Sequence, residues 1–200
     1  MLTGTAVILA GGNSSRMGFD KQCIMLNGKL LIENQIKVLK NIFSEIIVVS
    51  NKPELYKNYD CTIIVDQLRD FGPMGGIHAG LTAAKSQFSY FVACDMPYIN
   101  QAYILHMLNI IGKENPNTQA IITRFGHWLE PFNAFYSKSA ISVFEQAYNE
   151  KTKKISKALE EIKVRYIEEA EARSFSPDWS MFANINTQED LNILQAKSQW

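Results

Sequence analysis

Short β-branched runs alternate with segments of helical period over the first 125 residues of the chain. Apolar runs at 5–10, 45–50, 62–65, 90–93 and 120–123 predict strands. Between the first two, Ile32, Ile36, Leu39 and Phe43 recur at the spacing of one helix face, and 77–84 and 102–111 also read as helices. Strands that are apolar throughout, separated by helices, predict an α/β fold. Its sheet should be mostly parallel, covered on both faces, with right-handed crossovers.

The pattern weakens in the last third of the chain. Residues 131–136 read as a strand, 139–149 as a helix and 164–167 as one more strand. The cationic stretch 151–157 reads as a solvated helix start, and 174–179, with Pro177 and its aromatic neighbours, as a loop. Thr187, with Asp190 three positions on, predicts the N-terminal cap of a final helix. No repeat, low-complexity run or long linker interrupts the 200 residues, so one domain is expected.

Composition narrows the class. The chain is 46% apolar and 20% charged, the make-up of a soluble globular protein. Twenty Lys and Arg balance twenty Asp and Glu and are scattered rather than massed, which argues against a nucleic-acid or anionic-membrane surface. No apolar run approaches the roughly eighteen residues of a membrane span. The N-terminus lacks a basic segment followed by a long apolar stretch, so a cytoplasmic protein is expected. Cys23, Cys61 and Cys94 are far apart and show no metal-ligand spacing. Buried or half-buried reduced thiols are expected.

The string 9–21, LAGGNSSRMGFDK, changes the picture. Gly11 and Gly12 end the first apolar run and let the backbone turn sharply beside a ligand. Successive amides in such a turn form an anion-binding concavity, and Arg16 and Lys21 add positive charge near it. That combination suits a triphosphate. The spacing is neither a Walker A loop nor the dinucleotide fingerprint G-x-G-x-x-G.

Two carboxylates extend the site. Asp66 and Asp95 each follow a predicted strand, and ligands of open α/β sheets sit outside the carboxyl ends of strands. Hard oxygen ligands suit Mg²⁺, which takes one or two carboxylates together with substrate phosphates. The run 72–76, GPMGG, opens a helix expected to begin near Ile77, and its glycines let backbone approach a ring or sugar. Asn51, after the second strand, is either a further contact or a turn asparagine.

LAGGNSSRMGFDK resembles the N-terminal signature of the molybdenum cofactor guanylyltransferases, the MobA-type enzymes of the nucleotidyltransferase superfamily. FVACDMPYI around Asp95 resembles the family's metal-binding segment. FANINTQEDL at 182–191 resembles its closing N-x-N-T-P-E-D-L, with Gln188 in place of proline. Such motifs cover 5–25, 62–100 and 182–191, about a third of the chain.

The resemblance implies one three-layer domain over 1–200 with a Rossmann-like sheet of the nucleotide-diphospho-sugar transferase type. A nucleotide half (about 1–100) and an acceptor half (about 101–200) would divide it. It implies nucleotide contacts at Leu9, Ala10, Gly11, Gly12, Lys21, Asp66, Asp95, Gly75 and Gly76, and a Mg²⁺ ligand in Asp95. Asn184 and Asn186 would face the pterin side, and Arg16, Lys21 and Asp95 would be catalytic. The Gly11–Gly12 pair and Asp20–Lys21 favour guanine over cytosine by the same resemblance. Trp128, Glu130 and Pro131 fall in a segment resembling the approach to the acceptor.

The implied reaction moves GMP from GTP to the terminal phosphate of molybdopterin carrying molybdenum, releasing pyrophosphate. A phosphate nucleophile is already ionised at neutral pH, which fits a sequence without an obvious Ser-His-Asp or Cys-His constellation. His78, His106 and His127 are then expected in packing or surface positions. GTP and the pterin are the expected partners, with room for transient contact with cofactor-biosynthesis or acceptor proteins. A cytidylyltransferase on the same pterin and a nucleotide-binding module without catalysis stay open as alternatives.

Overall fold

A computed structural model describes residues 4–11, 20–26, 28–68 and 70–197. The chain runs through β1 (Thr5–Leu9), a small hairpin β2 (Met25–Leu26) and β3 (Lys29–Leu30), α1 (Leu31–Leu39), β4 (Glu45–Val49) and β5 (Thr62–Ile64). It continues through α2 (Pro73–Ala83), β6 (Phe88–Ala93), α3 (Gln101–Ile111), β7 (Ala120–Phe125), β8 (Trp128–Ser137) and α4 (Ile141–Asn149). The last elements are α5 (Ile155–Glu160), β9 (Val164–Glu168), α6 (Glu169–Arg173) and α7 (Gln188–Lys197). Seven strands form one sheet in the order β5-β4-β1-β6-β8-β7-β9. Among the described strands of this sheet, only β8 runs against its neighbours.

Both faces of the sheet are covered, as continuous apolar strands require. Ala6 and Ile8 of β1 belong to one core, and Val7 and Leu9 to the other. The first core is closed by Ile32, Ile36 and Leu39 of α1 and by Tyr103 and Met107 of α3. The second is closed by Met74, Ile77 and Leu81 of α2, Phe144 of α4 and Leu159 of α5. This is the expected three-layer α/β domain. A smaller cluster of Ile24, Leu31, Ile185 and Leu194 ties the hairpin to α7.

Helix α2 starts at Pro73, four residues earlier than the expected Ile77. Gly72 precedes it at φ 62°, and proline is favoured in a first helical turn. Gly75 and Gly76 are therefore helical and buried instead of forming a loop. Deeper in α2, a Cβ on Gly80 would lie 2.7 Å from both Val7 and Phe91, so glycine is what lets the helix approach the sheet. Helix α1 stops at Leu39; Phe43 continues its period but sits beyond a turn, stacked on Tyr90 at 5.8 Å.

Strand β8 is longer than expected and irregular. Its pairing with β7 shifts register between Ile121 and Thr123, whose partners are Phe135 and Glu130. The intervening segment of β8 contains Pro131, which cannot donate to a ladder, and Asn133 at φ 56°. Asn133 is buried and fixed there: Tyr90 Oη donates to its Oδ1 at 2.7 Å, and its Nδ2 donates to the Met181 carbonyl at 3.2 Å.

Candidate active site

The final residues of β4, β1 and β6 stand abreast, because Leu9 pairs with both Val49 and Ala93. Strands β4 and β5 lie on one side of β1, and the crossover through α2 delivers β6 to the other. Ligands of open α/β sheets bind at such a switch point. A cleft of about 310 Å³ opens there, lined by Leu9, Ala10, Gly11, Lys21, Pro73, Asp95, Phe132, Asn184 and Asn186 among others.

Asp95 lies just past β6 and is only 7% exposed. A carboxylate so far from water needs a compensating cation. Lys21 Nζ supplies it at 2.5 Å from Oδ2 and also donates to Asn186 Oδ1 at 2.8 Å. Residues separated by 74 and 165 positions along the chain thus meet at one ammonium group.

The turn carrying Lys21 is fastened from below. Asp20 caps the short 3₁₀ turn Lys21–Cys23, its Oδ1 accepting from the Gln22 amide at 3.0 Å and its Oδ2 from Lys52 Nζ at 2.5 Å. Burial pushes the Asp20 carboxyl up, but the Lys52 contact and the Gln22 amide outweigh it and hold it below the usual range. Gln22 Oε1 accepts from Ser50 Oγ at 2.6 Å and from Tyr56 Oη at 3.1 Å. Burial raises the Tyr56 phenol, which keeps it a donor.

On the other wall, the Asp95 carbonyl accepts from the Ile185 amide at 2.9 Å, which draws Asn184 and Asn186 over the cleft. The expected cap of α7 is present. Asp190 Oδ2 accepts from the Asn186 and Thr187 amides at 2.9 and 2.8 Å, while the Asp190 amide donates to Thr187 Oγ1 at 3.0 Å. The Asn186 amide is the main reason the Asp190 carboxyl sits below its ordinary value. A tail residue that contacts Lys21 is thereby held at its backbone.

Other candidates fall elsewhere. Gly12 and Arg16 lie outside the described residues. Asp66, beyond the edge strand β5, is not among the residues lining this cleft. Its Oδ1 accepts from the Leu68 amide at 2.8 Å, and burial pushes its carboxyl above the usual range. Gly75 packs directly under that carboxylate, and Gly76 lies against Leu9, where a Cβ would come within 2.9 Å of Cδ2. Asn51 is exposed in a bend after β4.

Of the 72–76 run expected at the ligand, Pro73 lines the cleft; pattern reading missed Phe132 there, and the Asp20–Lys52 and Gln22–Ser50–Tyr56 contacts beneath Lys21. Pro131 inside an apolar run was the available signal for the bulge that turns Phe132 into the cleft. Beside it an aromatic surface extends from the β7–β8 turn: Phe125 packs on Trp179 at 5.4 Å, Arg173 lies 4.9 Å over Trp179, and Trp128 is 68% exposed. Burial raises the nearby Glu130 carboxyl, while the Trp179 side chain donates to it.

The histidines occupy ordinary positions. His78 faces Glu145 at 3.3 Å, His106 bonds Glu171 at 2.7 Å, and His127 is exposed in the β7–β8 turn. The three cysteines form no disulfide; Cys23 is exposed, against the expectation of buried or half-buried thiols, while burial pushes the Cys94 thiol well up. Among the described residues no helix is long and apolar enough to cross a membrane.

Comparison with known proteins gives the family. The model of the MobA-like NTP transferase domain matches residues 6–165. The chain is 49% identical to a "Probable molybdenum cofactor guanylyltransferase" from Peptoclostridium acidaminophilum, over 95% of this chain and 87% of the relative. It is 47% identical to a molybdenum cofactor guanylyltransferase from Syntrophotalea carbinolica, over 95% and 90% of the two chains. The crystal structure of molybdopterin-guanine dinucleotide biosynthesis protein A from Archaeoglobus fulgidus superimposes with a TM-score of 0.83 at 28% identity, covering 96% and 97%. The chain belongs to the MobA-like NTP transferase family.

Proposed function

We propose that this chain is a molybdenum cofactor guanylyltransferase, transferring GMP from GTP to the terminal phosphate of molybdopterin that carries molybdenum. The observation that carries the reading is the Lys21–Asp95 pair, 2.5 Å apart at the sheet's switch point, in a chain 47% and 49% identical to relatives of that name. A phosphate oxygen of the acceptor attacks the α-phosphorus of GTP. The bond to the β-phosphate breaks, and pyrophosphate leaves with its electron pair. The nucleophile is already ionised, so the difficulty is repulsion between two polyanions rather than proton removal.

The residues of the cleft suit that difficulty. Gly11, at the mouth of the first turn, offers its backbone to the triphosphate, with Gly12 and Arg16 assigned to the same task by family resemblance. Lys21 brings its ammonium to the phosphate oxygens and neutralises charge that builds during transfer. Asp95 presents a hard oxygen donor, and among the described residues no group of three His, Cys, Asp or Glu could hold a metal alone. This hard oxygen donor fits Mg²⁺, which Asp95 would hold together with the substrate's phosphates. When bound, the ion supplies positive charge at the α- and β-phosphates.

Leu9 and Ala10 form the floor on the nucleotide side. Asp66 is assigned to the nucleoside, while Gly75 and Gly76 bring α2 against Asp66 and Leu9. Asn184, Asn186 and Phe132, the lining residues that come from 101–200, are assigned to the acceptor side. Incubation with GTP, Mg²⁺ and molybdenum-loaded molybdopterin should release pyrophosphate and form the guanine dinucleotide. CTP preference would make the chain a cytidylyltransferase. GTP binding without turnover would make it a sensor.

A further inference from the structure

Helix α1 turns Ile32, Ile36 and Leu39 into the core, and Gln35 stands among them with 0% exposure. Its Nε2 donates to two carbonyls, Ala93 at 2.9 Å and Met96 at 2.8 Å. Those carbonyls bracket Asp95, and the Met96 amide closes the turn onto Ala93 at 3.1 Å. Only an amide nitrogen can face two carbonyls at once, so the orientation of the side chain follows from its partners. Among the described residues its buried Oε1 has no partner. A methionine or leucine would fill the same volume without that orphan, so packing alone does not account for glutamine here.

We propose that Gln35 is a positioning residue for Asp95, holding the turn 93–96 so that the carboxylate faces Lys21 and the cleft. The same helix holds the other member of the pair. The Leu31 amide, at the start of α1, donates to the Ile24 carbonyl at 2.8 Å, immediately after the turn that carries Lys21. Helix α1 thus sets Lys21 and Asp95 in mutual register, one through its first amide and one through Gln35. The inference rests on the assignment of Asp95 as the cation ligand and deepens it.

The test compares Gln35→Met, which keeps volume and removes the donor, with Gln35→Asn, which keeps a donor but is too short to span both carbonyls. Mn²⁺ binding in the presence of GTP, followed by electron paramagnetic resonance, is read beside kcat, the KM for the pterin and thermal melting. Supports of a metal ligand typically change affinity about 10- to 100-fold. Gln35→Met is expected to weaken Mn²⁺ binding by about tenfold or more, with Gln35→Asn intermediate and the pterin KM unchanged. In an Asp95→Asn background Gln35→Met should add less than about twofold.

A Gln35→Met protein that melts lower yet binds Mn²⁺ and turns over normally overturns the proposal, as does an undiminished effect in the Asp95→Asn background. If Asp95→Asn itself leaves Mn²⁺ binding and turnover intact, the assignment of Asp95 falls, and the proposal with it. Wild-type hydrogen exchange tests the turn without relying on either variant folding. Exchange of the Cys94 and Met96 amides only through global unfolding supports the proposal, and exchange at loop rates overturns it.

Discussion

Asp66 and Asp95 look alike in sequence, each an aspartate just past an apolar strand, yet they occupy opposite physical situations. Asp95 follows the central strand β6 and is nearly buried, with Lys21 at 2.5 Å and the Ala93 and Met96 carbonyls of its turn held by Gln35. Asp66 follows the edge strand β5, rests on Gly75, and accepts from the Leu68 amide. Burial raises its carboxyl. A strand-end carboxylate becomes part of a charge-handling site where sheet order brings other elements over it. Among the described residues, Lys21, Asn184 and Asn186 line the cleft with Asp95, and Gln35 of α1 holds its turn, whereas Asp66 is not among the lining residues.

This contrast is sharpest in turnover. Lys21→Ala or Asp95→Ala is expected to lower kcat by about 10²–10³ or more, the usual cost of removing one preorganised electrostatic partner. Steady-state pyrophosphate release measures it, and near-normal kcat in either variant would remove that residue from the chemistry. Asp66→Asn should behave differently: a KM for GTP about tenfold higher with kcat changed less than about threefold, the signature of binding energy removed equally from ground and transition states. A kcat effect as large as that of Asp95→Ala would erase the distinction.

Stability separates the two regions as well. A Cβ at position 75 would fall on the Asp66 carboxylate, whose Cγ lies 2.8 Å away. Gly75→Ala should therefore cost about 1–3 kcal/mol in denaturant unfolding. It should raise the KM for GTP more than it lowers kcat. The smallest effect concerns pH. Because burial raises the Asp66 carboxyl, folding favours its protonated form. That contribution is complete below the unfolded carboxylate pKa, near pH 3–4, and is lost as pH rises through the folded value. Asp66→Asn should thus raise the melting temperature at about pH 7, and the gain should vanish near pH 3.

Much of the scaffold was legible because strand cores are short apolar runs. The β1, β4 and β6 strands and the cap of α7 by Thr187 and Asp190 fall where pattern and chemistry put them. The hairpin β2–β3 and helix α6 were not, since two- and five-residue elements carry no period. The bulge in β8 depends on Tyr90 and Met181 holding Asn133, contacts made across 43 and 48 positions. Family resemblance marked Lys21, Asp95 and Asn186 singly. That they meet depends on strand order and on the Ile185 amide reaching the Asp95 carbonyl, which no local signal encodes. Gln35 was invisible for a related reason: a glutamine within a helix reads as surface until its neighbours are known.

The most direct test is a crystal structure of the chain with GTP and Mn²⁺. The triphosphate is expected across the Gly11 turn at the end of β1, with the cation joining Asp95 to phosphate oxygens and Lys21 Nζ moved from Asp95 onto phosphate. A nucleotide bound elsewhere, such as the groove between Asn34 and Pro177 on the outer side of α1, with the Lys21–Asp95 pair unchanged, would contradict the assignment.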